Sequence, residues 1–338
     1  MNKNAPVCKL GHLALSTPDL AKSRAFFSDL LGLDVVDEQD GAVYLRAWGE
    51  HEHHSLVLRE GPTGIDHFSL RASGPEQLDL IATDLKAAGV DVARVRAGSE
   101  VGQGDAIRFV SPQGHPYEVY WAMERGRRDS GLANQWGKAY QRGASVRRLD
   151  HINIACADVD AGERFLHDHL GFLRREFVKR TDGPVVATWM SVTSQVHDIA
   201  IGREGNGHDG RLHHFAYALN DSSDMFRAAE VMRDAGVRID LSPGRHGISQ
   251  AMFCYVHDPG SDHRIEVYAG GYQIWDPDWE PIEWNEHNVT TGMVWWGPDY
   301  VPGVGGPMSS TTPCTPEPAE VPGSKPSRTR DERVDHIS

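Results

Sequence analysis

The sequence lacks the paired cysteines, the long apolar runs and the excess of basic residues that characterise several large classes of protein. Its four cysteines are scattered and form no CxxC pair, which argues against a zinc knuckle or a disulfide framework. No stretch approaches the roughly 18 apolar residues of a membrane span, and no signal peptide is evident. Asp and Glu outnumber Lys and Arg by 48 to 34. We therefore expect a cytoplasmic globular protein with neither nucleic acid nor a membrane as partner.

An internal duplication is the main feature that the sequence does contain. Residues 10–33 (LGHLALSTPDLAKSRAFFSDLLGL) align without a gap with residues 149–172 (LDHINIACADVDAGERFLHDHLGF). The matched positions pair His12 with His151, Asp19 with Asp158, Phe26 with Phe165, Leu31 with Leu170 and Gly32 with Gly171. Five ungapped matches indicate duplication rather than chance.

A second pair of segments shows that each half itself contains two modules. GIDHFSLRA matches RLHHFAYAL, which places His67 on His214, and a later match pairs Glu118 with Glu266. Each module begins with the period-two alternation of a strand, continues with an amphipathic helix that ends at glycine, and closes with further strands. The pattern predicts an α+β fold of two tandem domains, each built from two modules.

Composition divides the chain into three parts. We expect an amino-terminal domain over residues 1–145, a carboxy-terminal domain over 146–301 and a disordered tail over 302–338. The tail is rich in Pro, Gly and Ser without periodicity, so it cannot bury enough apolar area to offset the entropy of ordering. Residues 272–301 are too rich in tryptophan for a free linker, and we expect this cover segment to lie over the second domain.

Two histidines and one glutamate of the second half form a candidate metal site. His151, His214 and Glu266 fall on three separate predicted strands, and two imidazoles with one carboxylate are the ligand set of a non-haem Fe(II) centre with open positions. A single histidine among 18 is more often a surface or core residue. The recurrence of all three residue types in both halves favours the metal site.

The first half offers a second triad of equal formal quality, so the neighbours decide between the two. That triad is His12, His67 and Glu118. The second half adds polar groups suited to proton transfer, namely Asn153, His197, His246 and Tyr255. The first half has Arg108 at the position equivalent to Tyr255 and no counterpart of His246. We therefore expect a metal only in the second half.

Several motifs give the chain a resemblance to a known family over about residues 7–300. They include VYLRAW at 43–48, LVLREG at 56–61, LDHINI, VHDIA, RLHHFAYAL, PGRHG and the final EVY. The sequence resembles the type I extradiol dioxygenases of the vicinal oxygen chelate superfamily. The resemblance implies that each domain is an open barrel of two βαβββ modules, as in glyoxalase-like folds, and that the protein is a homotetramer.

The same resemblance implies an activity and the residues that carry it. The expected enzyme is a catechol 2,3-dioxygenase, which uses O2 to open a catechol ring beside its hydroxyls and forms a 2-hydroxymuconic semialdehyde-type product. His151, His214 and Glu266 are expected to bind Fe(II), with Mn(II) as the alternative. The remaining roles fall on His197 as acid and base, on Asn153, His246 and Tyr255 as hydrogen-bonding groups, and on Trp189 beside the ring.

Substrate charge is where the sequence departs from one group of this family. The WWG at 295–297 is similar to the homoprotocatechuate dioxygenases, which hold a substrate carboxylate with arginines, but Leu241 and Met293 stand at those positions. Burying a carboxylate without a fixed cation is costly. We therefore expect an uncharged substrate such as catechol or an alkyl- or halocatechol.

Four further interpretations remain open at this stage. A glyoxalase-like isomerase or transferase uses similar modules, and a non-enzymatic binding protein could be built on the same barrels. His213, adjacent to a predicted ligand, either lies at the barrel exterior or supports the site. The histidine-rich EHEHH at 50–54 favours a solvated turn over another metal site.

Overall fold

Four copies of a βαβββ module make up the fold. A computed structural model describes residues 5–126, 142–299 and 311–314 of the chain. Each module consists of one strand, one helix and three further strands, and two modules build each half. The predicted α+β class with two tandem units of paired modules is therefore confirmed.

The first two modules form an eight-stranded sheet. Its strands are β1 (Val7–Thr17), β2 (Asp34–Gln39), β3 (Ala42–Arg46), β4 (Leu56–Glu60), β5 (Gly64–Ala72), β6 (Val92–Val95), β7 (Ala106–Val110) and β8 (Pro116–Tyr120). Its helices are α1 (Leu20–Ala25), which continues as a π-helical segment over Phe26–Leu31, and α2 (Gln77–Ala87). The strand order is β2-β3-β4-β1-β5-β8-β7-β6, with β1 antiparallel to β5.

The third and fourth modules repeat this arrangement. Their strands are β9 (Arg148–Cys156), β10 (Leu173–Lys179), β11 (Val185–Ser191), β12 (Ile199–Arg203), β13 (Arg211–Ala218), β14 (Ile239–Arg245), β15 (Ala251–His257) and β16 (Arg264–Gly270). The helices are α3 (Val159–Leu170) and α4 (Asp224–Asp234). The order is β14-β15-β16-β13-β9-β12-β11-β10, so β9 and β13 occupy the places of β1 and β5.

The first helix of each half begins and ends at equivalent residues. Asp19 caps α1 by accepting a hydrogen bond from the Lys22 backbone N–H, and Asp158 caps α3 in the same way through Ala161. Such a cap satisfies one of the free N–H groups of the first turn. The sequence signal of an aspartate followed later by glycine therefore locates both helices. None of the helices among the described residues is long and apolar enough to cross a membrane.

A continuous apolar core joins the two halves. Phe27 of the first half stacks on Phe215 of β13 with ring centroids 6.2 Å apart, and Phe109 of β7 lies at the same centroid distance from Phe165 of α3. All four rings are buried. Because burying one phenylalanine contributes about 1.5–3 kcal/mol, these pairs stabilise the association of the halves.

The cover segment lies along one edge of the second sheet. Its strand β17 (Ile282–Trp284) pairs in parallel with β10, and its helix α5 (Val289–Met293) follows. Glu176 of β10 anchors the segment, because its carboxylate accepts hydrogen bonds from Tyr272 Oη at 2.7 Å and Trp284 Nε1 at 2.6 Å. The tryptophan-rich residues therefore belong to the second half.

Four residues of the predicted disordered tail are ordered. Strand β18 (Thr312–Pro313) pairs antiparallel with β13, and Cys314 is fully buried. The Cys314 backbone N–H donates to the Gly210 carbonyl, and its carbonyl accepts from the Ile65 N–H. The prediction of disorder is wrong for residues 311–314, since backbone pairing and one buried thiol hold them. The rest of that tail lies outside the described residues.

Candidate metal centre and active site

Three adjacent strands bring the predicted ligands of the second half to one face. In the order β16-β13-β9, Ala216 of β13 is paired with Glu266 on one side and with His151 on the other. Residues directly opposite each other share a face of the sheet, and His214 shares it too because it lies two residues from Ala216. The alternation predicted from sequence thus directs all three side chains to one point.

The three donor atoms are close enough to share one metal ion. His151 Nε2 lies 3.3 Å from His214 Nε2, and Glu266 Oε2 lies 3.0 Å and 3.1 Å from these two nitrogens. All three side chains are buried. The ligand atoms of the three residues all lie within 4.8 Å of one another. The expected convergence is therefore present.

Hydrogen bonds behind the two imidazoles hold their orientation. His151 Nδ1 donates to Asp150 Oδ2 at 2.9 Å, which directs Nε2 towards the centre. This carboxylate–histidine arrangement is the usual support of a metal-binding imidazole. His214 Nδ1 lies 2.6 Å from His213 Nδ1, and the Arg264 guanidinium donates to His213 Nε2 at 2.8 Å.

The electrostatics of the triad favour a cation at its centre. Burial acts to raise the pKa of Glu266, but hydrogen bonds from His151 and His214 hold it well below its usual value, so the carboxylate is ionised. Burial lowers the pKa of His214 to about 4, which keeps that imidazole neutral. Burial also opposes charge on His151, but Asp150 and Glu266 raise its pKa to about 9. The two carboxylates thus attract positive charge to the place where a metal would bind.

Unpartnered polar atoms around the triad support the same conclusion. Glu266 Oε1, Asn153 Oδ1 and His197 Nδ1 are buried and have no hydrogen-bond partner among the described residues. Buried polar groups without partners are uncommon and call for a bound water, ion or ligand. Together with three donors on one side and a cavity on the other, they fit a divalent metal with open positions.

A largely apolar cavity of about 330 Å³ opens from the triad. This is at the small end of the range of about 300–1,000 Å³ for ligand pockets. The predicted site residues all line it, namely His151, Asn153, Trp189, His197, His214, His246, Tyr255 and Glu266. Its apolar wall includes Val178, Val186, Ala200, Ile201, Ile248 and Val289. The cover segment contributes to this wall through α5.

His197 lies against the triad, two residues before β12 begins. Its ring centroid is 4.0 Å from that of His151. Burial and the neighbouring His151 hold the pKa of His197 well below its usual value, so its imidazole is neutral. The adjacent Asp198 fixes the preceding loop, because its carboxylate accepts hydrogen bonds from the backbone N–H groups of Val192 and Thr193.

His246 and Tyr255 form a hydrogen-bonded pair on the opposite side of the cavity. His246 Nδ1 donates to the Met293 carbonyl, and Tyr255 Oη donates to His246 Nε2 at 3.2 Å. Tyr255 is paired with Glu266 across β15 and β16, so both face the centre. Burial and the Glu266 charge raise the pKa of Tyr255 well above its usual value, and the phenol keeps its proton.

Three residues at the site were not identified from the sequence. Tyr268 lines the cavity with its ring centroid 5.0 Å from that of His151, and it lies two residues beyond Glu266 on β16. Period-two alternation could have identified it. Asp150 is marked by its position directly before a ligand. Arg264 stacks on Tyr255, 3.9 Å from guanidinium carbon to ring centroid, and the same alternation marks it because it lies two residues before Glu266 on β16.

The structure decides between the two alternatives for His213 and corrects the interpretation of residues 50–54. His213 does not lie at the barrel exterior: it is 2% exposed and contacts His214, because a register shift between Leu212 and His214 interrupts the alternation of β13. Residues 50–54 are not a solvated turn, since Glu52 and His54 are buried. Glu52 accepts a hydrogen bond from Tyr120 at 2.7 Å.

The residues at the expected carboxylate-binding positions lie in the cavity wall. Leu241 and Met293 both line the cavity, so apolar side chains stand there. Two other arginines, Arg180 and Arg203, also line it, and sequence reasoning did not consider them. Arg180 is exposed, while Nε of the half-buried Arg203 has no hydrogen-bond partner among the described residues.

The alternative triad of the first half also converges. His12, His67 and Glu118 lie together on β1, β5 and β8, and Glu100 from the loop between β6 and β7 joins them. Arg108 is paired with Glu118 across β7 and β8, as Tyr255 is with Glu266. The predicted equivalence of these two positions is therefore correct.

Comparison with known proteins defines the family. The sequence model of the Glyoxalase/Bleomycin resistance protein/Dioxygenase superfamily matches this chain twice, over residues 9–119 and 148–267. The chain belongs to this superfamily, which confirms the resemblance seen in the motifs.

The similar proteins include two named as dioxygenases and one named as a metapyrocatechase. A manganese-dependent 2,3-dihydroxybiphenyl 1,2-dioxygenase from Geobacillus genomosp. 3 is 45% identical over 92% of this chain and 99% of its own length. A metapyrocatechase from Geobacillus stearothermophilus is 35% identical over 86% of this chain and 90% of its own. Homoprotocatechuate 2,3-dioxygenase from Arthrobacter globiformis has a similar structure, with a TM-score of 0.81 and 34% identity over 89% of this chain and 92% of that one.

Proposed function

We propose that this protein is an extradiol dioxygenase that opens the ring of uncharged catechols with O2. His151, His214 and Glu266 hold one divalent metal at the base of the cavity, and the products are of the 2-hydroxymuconic semialdehyde type. The observation that carries the proposal is the meeting of a three-donor triad with an apolar cavity that also contains His197, His246 and Tyr255. The names of the relatives support the same activity.

The metal, when bound, would bring catechol and O2 together and promote electron transfer between them, which overcomes the slow direct reaction. The protein's side chains orient the substrates and transfer protons. The neutral imidazole of His197 accepts the proton of a catechol hydroxyl and later returns it to the ring-opened product. General acid–base catalysis of this kind accelerates a reaction by about 10²–10⁴.

The pair of His246 and Tyr255 orients the reacting groups from the opposite side. Tyr255 is protonated and can donate a hydrogen bond into the cavity when the His246 contact is exchanged for substrate or oxygen. Asn153 offers its unpartnered Oδ1 on the strand that carries His151. Trp189 supplies a flat apolar wall, 8% exposed, for the aromatic ring.

Substrate preference follows from the wall of the cavity. Leu241 and Met293 provide no positive charge where a substrate carboxylate would need one. The wall suits alkyl, halo or aryl substituents, and the relative named for 2,3-dihydroxybiphenyl supports an aryl group. Arg180 and Arg203 also border the cavity, so the test must include an acidic catechol.

Two competing functions receive less support. A glyoxalase-like isomerase shares the fold, but it does not need the cluster of His197, His246 and Tyr255, and two of the similar proteins above are named as dioxygenases. A non-enzymatic binding protein has no use for three converging metal ligands. Ring cleavage with oxygen uptake separates all three functions.

The decisive experiment measures oxygen uptake and product absorbance after anaerobic loading with Fe(II) or Mn(II). The substrates are catechol, 4-methylcatechol, 2,3-dihydroxybiphenyl and 3,4-dihydroxyphenylacetate. We expect stoichiometric oxygen uptake, a yellow product, and a kcat/KM at least tenfold higher for uncharged rings than for the acid. Glu266→Gln should abolish turnover, whereas Glu230→Gln, on the exposed surface of α4, should not. Oxygen-independent conversion, or no reaction with any catechol, would contradict the proposal.

Metal identity and assembly form part of the same proposal. Imidazole and carboxylate donors suit both Fe(II) and Mn(II), and we propose Fe(II) with Mn(II) as the alternative. A relative named manganese-dependent supports the alternative, and activity after loading with each metal separately decides between them. The family resemblance supports a homotetramer, which sedimentation tests, and composition supports a cytoplasmic location.

A further inference from the structure

The first half contains a buried cluster with the composition of a metal site. His12, His67, Glu100 and Glu118 each offer a ligand atom, and the four atoms lie within 4.8 Å of one another. All four residues are at most 2% exposed. Sequence comparison reveals only three of them, because Glu100 comes from the loop between β6 and β7 and has no counterpart among the ligands of the second half.

We propose that this cluster binds a second divalent transition metal, distinct from the catalytic one. His12 Nε2 and His67 Nε2 are 3.3 Å apart, the same separation as His151 Nε2 and His214 Nε2. Two buried imidazoles in both halves thus point their Nε2 atoms at a common centre. The duplicated strands β1 and β5 preserve this geometry, although the second half alone has the groups for catalysis.

The distances between the donors fit a single small ion. The carboxylate oxygens of Glu100 and Glu118 lie 3.0–3.7 Å from the two imidazole nitrogens. Donors around a tetrahedral ion with bonds of about 2.1 Å are separated by about 3.4 Å. Ser69 Oγ now lies 3.0 Å from His12 Nε2 and donates to Glu118 Oε1 at 2.7 Å, so metal binding would exchange these hydrogen bonds for metal–ligand bonds.

The surroundings of the cluster also match those of a metal site. His67 Nδ1 donates to Asp66 Oδ2 at 3.0 Å, as His151 does to Asp150, so the same carboxylate support stands behind one imidazole in each half. Glu100 Oε2 is buried and has no hydrogen-bond partner among the described residues. Its polar contacts are ion-pair contacts, to His12 Nε2 at 3.0 Å and to His54 Nε2 at 3.7 Å.

The charge of the cluster favours a further cation. Arg108 Nε donates to Glu118 Oε2 at 2.7 Å, and Arg108 Nη2 donates to Glu100 Oε1 at 2.9 Å. Arg59 Nη1 also lies 4.0 Å from Glu100 Oε1, so two guanidinium groups face the carboxylates of Glu100, Glu118 and the nearby Asp66. These three carboxylates outnumber the two guanidinium groups by one, and because buried negative charge is costly, a bound cation would offset the excess.

Four protein donors predict a structural role for this ion. Catalytic sites keep a position open, whereas structural sites are closed by four protein ligands. Imidazole with carboxylate suits Zn(II), Mn(II) and Fe(II). The bound ion would fasten the loop that carries Glu100 onto the first sheet.

Metal content of the full chain tests this proposal independently of ring cleavage. The protein is stripped with a chelator, reloaded with Mn(II) and desalted, and the bound metal is counted by mass spectrometry. We expect two ions per chain in the wild type and one in His214→Ala, which removes the catalytic site. His214→Ala combined with Glu100→Gln should retain close to none. His67→Ala alone should retain one ion.

The outcomes separate the two metal sites. One ion in the wild type and none in His214→Ala would overturn the second site and leave the catalytic one intact, and would mean that Arg108 neutralises the cluster. Two ions that persist in both His67→Ala and Glu100→Gln would place the extra ion elsewhere and also overturn the proposal. Glu100→Gln is nearly isosteric and therefore provides a second test of the site. Circular dichroism and thermal melting curves of both variants show whether loss of the ion from His67→Ala is caused by misfolding.

Discussion

Replacing His197 with alanine should separate proton transfer from substrate binding. The imidazole borders the cavity, and its Nδ1 has no hydrogen-bond partner among the described residues. Its removal therefore leaves no described partner of Nδ1 unsatisfied and enlarges an existing cavity rather than creating one. We expect a loss of stability of only about 1 kcal/mol, below the usual range for large-to-small core substitutions.

The effect on turnover should be much larger. Loss of a general base and acid lowers a rate by about 10²–10⁴, which corresponds to about 3–5 kcal/mol in activation free energy. The triad of His151, His214 and Glu266 does not depend on a hydrogen bond from His197. We therefore expect the metal content to change by less than threefold. The Kd for catechol should change by less than tenfold.

Stopped-flow spectroscopy provides the assay, with anaerobic catechol titration for Kd and rapid mixing with O2 for the chemical step. His263→Ala is the matched control, because His263 is equally buried in the second half but contacts the Ser16 carbonyl rather than the cavity. The control should retain its chemical rate. An unchanged chemical step in His197→Ala with a large loss of affinity would refute the proton-transfer role.

Three further predictions concern specificity, the cover segment and pH. Leu241→Arg should shift relative kcat/KM by at least tenfold towards 3,4-dihydroxyphenylacetate; no shift would show that this wall does not set charge preference. Glu176→Ala removes three hydrogen bonds, so urea unfolding should show a loss of about 2–4 kcal/mol, and unchanged stability would contradict the anchoring role. A contact with His257 Nε2 at 3.8 Å and a hydrogen bond from Arg264 Nε at 2.7 Å lower the pKa of Asp240 from 3.8 to about 2, so Asp240→Asn should cost about 1 kcal/mol at neutral pH after allowance for solvent screening. That difference should fade as pH falls from 3.8 towards 2, and a difference independent of pH would count against it.

Repetition made most of the fold predictable. Asp19 and Asp158 mark equivalent helix starts, and His151 and His214 recur at the positions of His12 and His67. Equivalent residues in the two halves support the same assignment of each strand face. Period-two alternation on those faces then located the ligands. The same logic would have found Tyr268, two residues from Glu266.

Features that depend on a single long-range contact could not be predicted in this way. His213 faces inward because of a local register shift, which alternation cannot reveal. Glu100 reaches its cluster from an irregular loop, and Cys314 is buried by a strand only two residues long. Sequence composition averaged over a window of residues does not reveal such short contacts, because their burial depends on residues far along the chain.

Anomalous scattering from crystals of the metal-loaded protein tests the central claim most directly. The account predicts a peak in the second half bonded to His151 Nε2, His214 Nε2 and the Glu266 carboxylate, with water or catechol at the remaining positions facing the cavity. A fourth protein ligand that closes this site, or an absence of metal between these three side chains, would contradict the account.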